Sequence, residues 1–204
     1  MSKGRIQEEA EVLFRRAGYD PEAWNGEGRR LIHEIPAQGL RLMIVRATDV
    51  PVYVEHGAAD LGIVGKDTVL EADADVYEPL DLGIGKCRLS VARRAGDTGD
   101  PYPLKVATKY PRLTERYFGA RGRQVELVKL YGSVEIAPLT GLADCIVDLV
   151  STGRTLRDNG LEEAETILDI STVLIANRAA LKTKSEQVKD LIRRLRPVCA
   201  TMVS

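Results

Sequence analysis

The sequence predicts an α/β protein in two lobes of similar size. Short apolar runs alternate with helix-period patterns along the chain, and the strongest cluster of turn formers, Arg-Arg-Ala-Gly-Asp-Thr-Gly-Asp-Pro-Tyr-Pro over residues 93–103, falls near its middle. The size also suits this reading, because 204 residues with 44% hydrophobic content can build one large or two small cores.

The elements follow in order. Ile6, Ala10, Leu13, Phe14 and Ala17 recur at helical spacing, and Gly18 can end that helix. Leu40 to Val45 reads as a strand, Asp49 to His56 as a helix, Leu61 to Val64 as a strand and Asp67 to Glu71 as the start of a helix. Tyr77 to Leu82 and Cys87 to Ala92 give two more strands. After the turn cluster come apolar runs at Leu104–Ala107, Leu113–Phe118 and Val125–Leu130, a helix near Glu135, a strand at Cys145–Val150 and a helix from Gly153. Thr166 to Asn177, rich in Ile, Leu, Val and Thr, reads as one long strand or two short ones that carry the chain back to the first lobe. Lys184 to Val203 closes as a helix with Val188, Leu191, Ile192 and Leu195 on its apolar stripe, and Pro197 should kink or end it. The expected lobes are therefore 1–92 with 178–204, and 93–177.

Composition narrows the function. Lys and Arg number 29 against 30 Asp and Glu, so no net basic field draws nucleic acid, and anion binding must come from local spots. Met-Ser-Lys-Gly-Arg lacks the apolar core of a secretory signal, and no apolar run reaches membrane-spanning length. Three cysteines, Cys87, Cys145 and Cys199, with no C-x-x-C spacing fit a reducing, cytoplasmic setting.

The segment richest in chemistry runs from Leu139 to Leu156. A buried strand, Cys145–Val150, leads into Ser151, Thr152 and Gly153 and then a helix, so backbone N–H groups converge on one point. Gly153 admits close backbone approach, Ser151, Thr152 and Thr155 offer hydroxyls, and Arg154 adds a charge. Asp148 repels phosphate but accepts hydrogen bonds from ribose hydroxyls. The blander reading of the same residues is a helix cap with a solvated strand-end carboxylate. Gly62-Ile-Val-Gly-Lys-Asp-Thr is not a nucleotide P-loop, since Asp60 stands where that motif needs glycine and Asp67 follows Lys66. His33 and His56 are too far apart in sequence to suggest a metal pair; His56 suits the end of the Asp49 helix. Tyr53 and Tyr131 read as packing residues.

From Glu135 the chain reads E-x5-G-x-A-x2-I-x-D-L-x2-T-G-x-T-L, ending at Leu156. At every specified position this resembles the signature of the ATP phosphoribosyltransferase family. The resemblance extends through Val50–Asp67, Lys105–Pro111 and Lys129–Glu135, nearly the whole chain. It implies a two-lobed, type II periplasmic-binding-protein-like fold with the active site in the interlobe cleft. It also implies the condensation of ATP with 5-phosphoribosyl 1-pyrophosphate (PRPP) to N1-(5-phosphoribosyl)-ATP and pyrophosphate, the first step of histidine biosynthesis. Mg²⁺ would be bound mainly through substrate oxygens.

Residues carried over by the resemblance are Asp148, Ser151, Thr152, Gly153, Arg154 and Thr155 for PRPP. Lys3, Arg5 and Arg30 would serve ATP or pyrophosphate, and Arg46, Lys66 and Glu135 catalysis. Each of the isolated cations has a plainer reading as a solvated surface charge. Relatives usually begin with an apolar strand before Pro-Lys-Gly-Arg, so a start at Met1-Ser-Lys-Gly-Arg costs the first lobe a β-partner. An end at Ser204 resembles the short form, which acts with a regulatory subunit similar to histidyl-tRNA synthetase, as a homodimer within a hetero-oligomer. Two competing readings are a non-catalytic anion-binding module of the same fold and a transferase using another phosphosugar.

Overall fold

The computed structural model describes residues 1–2, 4–24, 31–99 and 101–202. Lys3 and Arg30 lie outside the described residues. The chain divides into a first unit, residues 1–85 with 171–204, and a second unit, residues 86–170.

In the first unit, α1 (Arg5–Arg16) forms on the expected stripe, burying Ala10, Leu13 and Phe14, with Glu8 in its first turn and Arg15 and Arg16 in its last, each favouring the helix dipole. Gly18 ends it at φ +86°, and the Tyr19 N–H bonds back to the Phe14 carbonyl. A two-stranded antiparallel sheet follows, β1 (Ile32–Ile35) with β2 (Leu40–Met43). The strand β1 was not expected, because Leu31 and Ile32 are exposed and its alternation is too short to read. Next come α2 (Val50–Glu55), β3 (Leu61–Gly65), α3 (Lys66–Ala72) and β4 (Tyr77–Asp81). His56 sits at the end of α2 as expected, with its Nδ1 3.1 Å from the Val52 carbonyl.

The returning chain supplies β10 (Thr172–Ala176), which pairs antiparallel with β3 on one side and β4 on the other. Asn177 then caps α6 (Arg178–Thr183), its side chain accepting from the N–H groups of Ala179 and Ala180. The last helix, α7 (Ser185–Met202), buries Leu191, Leu195 and Cys199 in one core with Leu13, Phe14 and Trp24. It runs past Pro197, where a kink or stop was expected. Pro197 and Arg193 lie on the exposed face, so the Arg193 carbonyl that loses its N–H partner can turn to water.

Residues 1 and 2 do find partners in the first unit. The Met1 ammonium donates to the Met43 carbonyl at 2.8 Å, and Ser2 makes a single parallel bridge with Val45. A cavity of about 570 Å³, lined by Met1, Trp24, Leu40, Leu42, Leu61 and neighbouring residues, lies beside them and contains none of the candidate site residues.

The second unit is one five-stranded mixed sheet in the order β7-β6-β8-β5-β9. Its strands are β5 (Cys87–Arg94), β6 (Leu104–Thr108), β7 (Val125–Lys129), β8 (Cys145–Val150) and β9 (Leu161–Ile170). Strand β6 runs parallel to β7 and β8, while β5 runs antiparallel to β8 and β9. Two helices complete it, α4 (Pro111–Gly119), which packs on β7, and α5 (Arg154–Asp158), which packs on β9.

Both boundaries fall seven residues earlier than the expected lobes. The whole of β5 is committed to β8 and β9, so residues 86–92 belong to the second unit; β10 lies between β3 and β4, so residues 171–177 belong to the first. The turn formers that follow Arg94 therefore fall inside the second unit, between β5 and β6, rather than at its edge. Thr166 to Asn177 is divided between two strands of different sheets at Ser171, and the helix near Glu135 is a single 3-10 turn, Val134–Ile136.

Candidate functional site

Strand β8 lies between β6 and β5, and Val147 and Ile146 are buried with almost no exposure. This apolar run rigidly delivers Asp148 and then the turn Ser151–Gly153. Asp148 stands opposite Ser90 on β5, and Ser90 stands opposite Thr166 on β9, so three polar side chains form a row across the sheet. The Asp148 carboxylate accepts from the Leu149 N–H at 2.8 Å. Burial pushes its pKa up; that hydrogen bond and nearby Lys109 pull it down, while the charge of Glu135 pushes it up further. The charges of Glu135 and Lys109 are thus both felt at Asp148.

The turn itself is built for backbone approach. Gly153 has φ +71°, and a Cβ there would lie 3.0 Å from Nη1 of Arg157. The helix-cap reading of Ser151 and Thr152 does not describe the arrangement: the residue at the cap is Gly153, and no side chain caps α5. The Thr152 hydroxyl accepts only a long bond, 3.4 Å, from the Arg154 N–H, and the hydroxyls of Ser151 and Thr155 bond no other described residue. These exposed hydroxyls and the turn's N–H groups are available to an anion. The helix dipole adds little, since α5 has only five residues.

The family-like signature separates into three physical roles. Ala143, Ile146 and Leu156 are buried in one cluster and hold the fold. Gly141 and Gly153 supply left-handed backbone, at φ +73° and +71°. Glu135, Asp148, Thr152 and Thr155 are its polar positions, with side chains that can hydrogen-bond a ligand. Arg154 reaches Asp158 at 3.4 Å on the surface, with 83% of its side chain exposed, which places its guanidinium along α5. Two cations missed in the sequence, Arg157 and Lys109, stand beside Gly153 and Asp148 respectively. Lys109 lay within the stretch Lys105–Pro111, so its sequence context was visible.

The remaining candidates belong to the first unit. Arg5 is exposed and bonds Glu9 at 2.6 Å. Arg46 is exposed at the start of the turn Ala47–Asp49, on which α3 packs. Lys66 opens α3 and approaches Glu78 at 3.3 Å. It follows Gly65, where a Cβ would meet Oδ1 of Asp67 at 2.2 Å, so that Gly-Lys-Asp is a sterically required turn as well as a motif. Tyr53 and Tyr131 are not packing residues as expected. They are 41% and 82% exposed, and the Lys129 ammonium lies over the Tyr131 ring.

Residues 46–197 match the model of the family described as HisG, ATP phosphoribosyltransferase. The chain belongs to the ATP phosphoribosyltransferase family. It is 55% identical to the ATP phosphoribosyltransferase of Syntrophotalea carbinolica, over 98% of this chain and 94% of that protein. To ATP phosphoribosyltransferase 2 of Geobacter sulfurreducens it is 56% identical, over 95% of this chain and 93% of that protein. Among solved structures, a chain of the ATP phosphoribosyl transferase (HisG:HisZ) complex from Thermotoga maritima superposes with a TM-score of 0.85 at 33% identity. It covers 98% of this chain and 96% of that one. The fold of the family member described here is accordingly the type II periplasmic-binding-protein-like α/β fold expected from the sequence.

Proposed function

We propose that, in this ATP phosphoribosyltransferase, the turn Ser151–Thr155 holds the 5-phosphate of PRPP while Asp148 hydrogen-bonds the ribose hydroxyls. The observation that carries the assignment is the end of β8, where a buried strand presents a largely buried carboxylate followed by a glycine turn with exposed hydroxyls, of which only that of Thr152 makes a bond among the described residues, a long one to the Arg154 N–H. The reaction condenses ATP with PRPP in the first step of histidine biosynthesis.

The new bond joins adenine N1 to C1 of the ribose as the bond from C1 to pyrophosphate breaks, with the electron pair leaving on pyrophosphate. Positive charge gathers at C1 and the ring oxygen. Little proton transfer is required, so rate comes from aligning two anionic substrates and meeting the charge of the departing group. Asp148 fixes the ring through its hydroxyls, and its negative charge favours positive charge developing on the ribose. Glu135, near Asp148, is suited to orienting a substrate hydroxyl or amine. Arg46 and Lys66, with Arg5 and the undescribed Lys3 and Arg30, are the cations for pyrophosphate and ATP.

Among the described residues, no three His, Cys, Asp or Glu side chains group as a metal cage. Asp148 and Glu135, two carboxylates that repel one another, fit a cation carried in on PRPP. Bound there, Mg²⁺ would neutralise pyrophosphate charge. No described helix is long and apolar enough to cross a membrane, and a cytoplasmic setting accords with the reducing character of the cysteines. The Thermotoga maritima chain belongs to a HisG:HisZ complex, and we extend a regulatory partner to this chain.

The test is pyrophosphate release from PRPP with ATP and Mg²⁺, with and without a candidate regulatory subunit, together with calorimetry of PRPP alone. ATP-dependent release and PRPP binding that Asp148→Asn weakens support the reading. Release that is indifferent to the nucleotide, or PRPP affinity untouched by changes in the turn, would overturn it.

A further inference from the structure

We infer that Arg88, clamped by Glu163, is a positioning residue for the phosphate turn: it pins the Ser151 carbonyl and thereby aims the Thr152 N–H. The inference rests on the PRPP site proposed above.

Arg88 stands opposite Val150, the last residue of β8, so its side chain leaves the sheet where the turn begins. Its Nη1 donates to the Ser151 carbonyl at 3.2 Å. Its Nε and Nη2 grip the two carboxylate oxygens of Glu163 in a fork. Glu163 is held from behind as well, since one of its oxygens accepts from Ser90 Oγ at 2.7 Å and from Thr166 Oγ1 at 3.2 Å. Ser90 is fully buried, so this hydroxyl anchors the carboxylate to the middle of the sheet. Three N–H groups of the guanidinium and both Glu163 oxygens are occupied in a single arrangement.

The Ser151 carbonyl and the Thr152 N–H belong to one planar trans peptide group and point in opposite directions. Fixing the first towards Arg88 fixes the second away from it, on the open side of the turn. The turn is then organised before the phosphate arrives, and none of the binding free energy goes into orienting it. Because Glu163 neutralises Arg88, the guanidinium acts by geometry rather than as a free charge. Lysine, with no planar fork, cannot make all three contacts.

The experiment measures kcat and the KM values for PRPP and ATP in the full chain with whatever subunit its activity needs. The variants are Glu163→Gln, Arg88→Lys, their double combination, and Thr152→Ala as a reference for the turn. We expect Glu163→Gln and Arg88→Lys each to raise the KM for PRPP about tenfold with the KM for ATP unchanged, and the double variant to be no worse than either alone. Glu163→Gln is the decisive one, and it stands alone if Arg88→Lys does not fold. It frees the arginine charge, so a guanidinium that touched phosphate directly would bind PRPP as well or better. An unchanged or lowered KM for PRPP in Glu163→Gln, or equal increases for both substrates, overturns the inference. If Thr152→Ala raises the KM for PRPP while Glu163→Gln does not, only the role of Arg88 falls. If neither changes it, the PRPP turn falls too.

Discussion

The two units carry their candidate residues in different ways. In the second, Glu135, Asp148 and Ser151 to Thr155 come from one stretch of chain that passes through one buried strand, which carries Asp148 and delivers the turn after it. In the first, Arg5, Arg46 and Lys66 come from a helix start, an irregular turn and a second helix start, and each is exposed or half-exposed. Where backbone and core fix a site, single substitutions should act sharply and on one substrate. A site made of long cationic side chains should yield gradually, because neighbouring charges partly replace a lost one.

The largest effect expected is from Asp148→Asn, which keeps the size of the side chain and its bond to the Leu149 N–H. kcat/KM should fall about 100-fold while the melting curve is retained, as activity assays beside thermal denaturation would reveal. Thr152→Ala and Thr155→Ala should each raise the KM for PRPP about tenfold, with ATP little affected. Gly153→Ala should lower stability by about 1–3 kcal/mol, because alanine is strained at that backbone and meets Arg157, and denaturant titration reads this directly. Arg46→Met and Lys66→Met, by contrast, should each weaken pyrophosphate inhibition only about threefold to fivefold. Effects above those of Asp148→Asn would reverse the comparison.

The smallest effect concerns acid. The Arg88 guanidinium holds the Glu163 carboxyl down to about 2, from an ordinary value of 4.5. A depressed carboxylate contributes stability that is complete above the unfolded value and lost as pH falls from about 4.5 towards 2. Glu163→Gln should therefore flatten the loss of second-unit structure across that window. The single tryptophan, Trp24, sits in the core of the first unit, so its fluorescence should follow a separate course.

Much of this was legible in the sequence for reasons that also explain the rest. The helix at Ile6 to Ala17 and the strand at Cys145 to Val150 each bury a regular face, so periodicity exposed them. The turn after Val150 was readable because its glycine, hydroxyls and carboxylate are consecutive. Arg88 and Glu163 were invisible as a pair: 75 residues separate them, and only the pairing of β5 with β9 brings them together. The unit boundaries were misplaced because turn-forming residues mark where a chain bends, whereas the choice of sheet for β5 and β10 depends on strand partners elsewhere. Arg154 was read from its position beside the glycine, whereas its surface pairing with Asp158, one helical turn later, was not foreseen.

The second unit is an uninterrupted stretch, whereas the first is closed by residues that precede and follow it in the chain. On the ribosome, the sheet that carries Asp148 has all its strands once residue 170 has emerged. Leu13, Phe14 and Trp24 must wait for Leu191, Leu195 and Cys199, the partners of their core, which are made only after the whole of the second unit. During synthesis, the apolar face of helix α1 therefore stays without its α7 partners until the second unit has been made, and the unit begun before the other is completed after it.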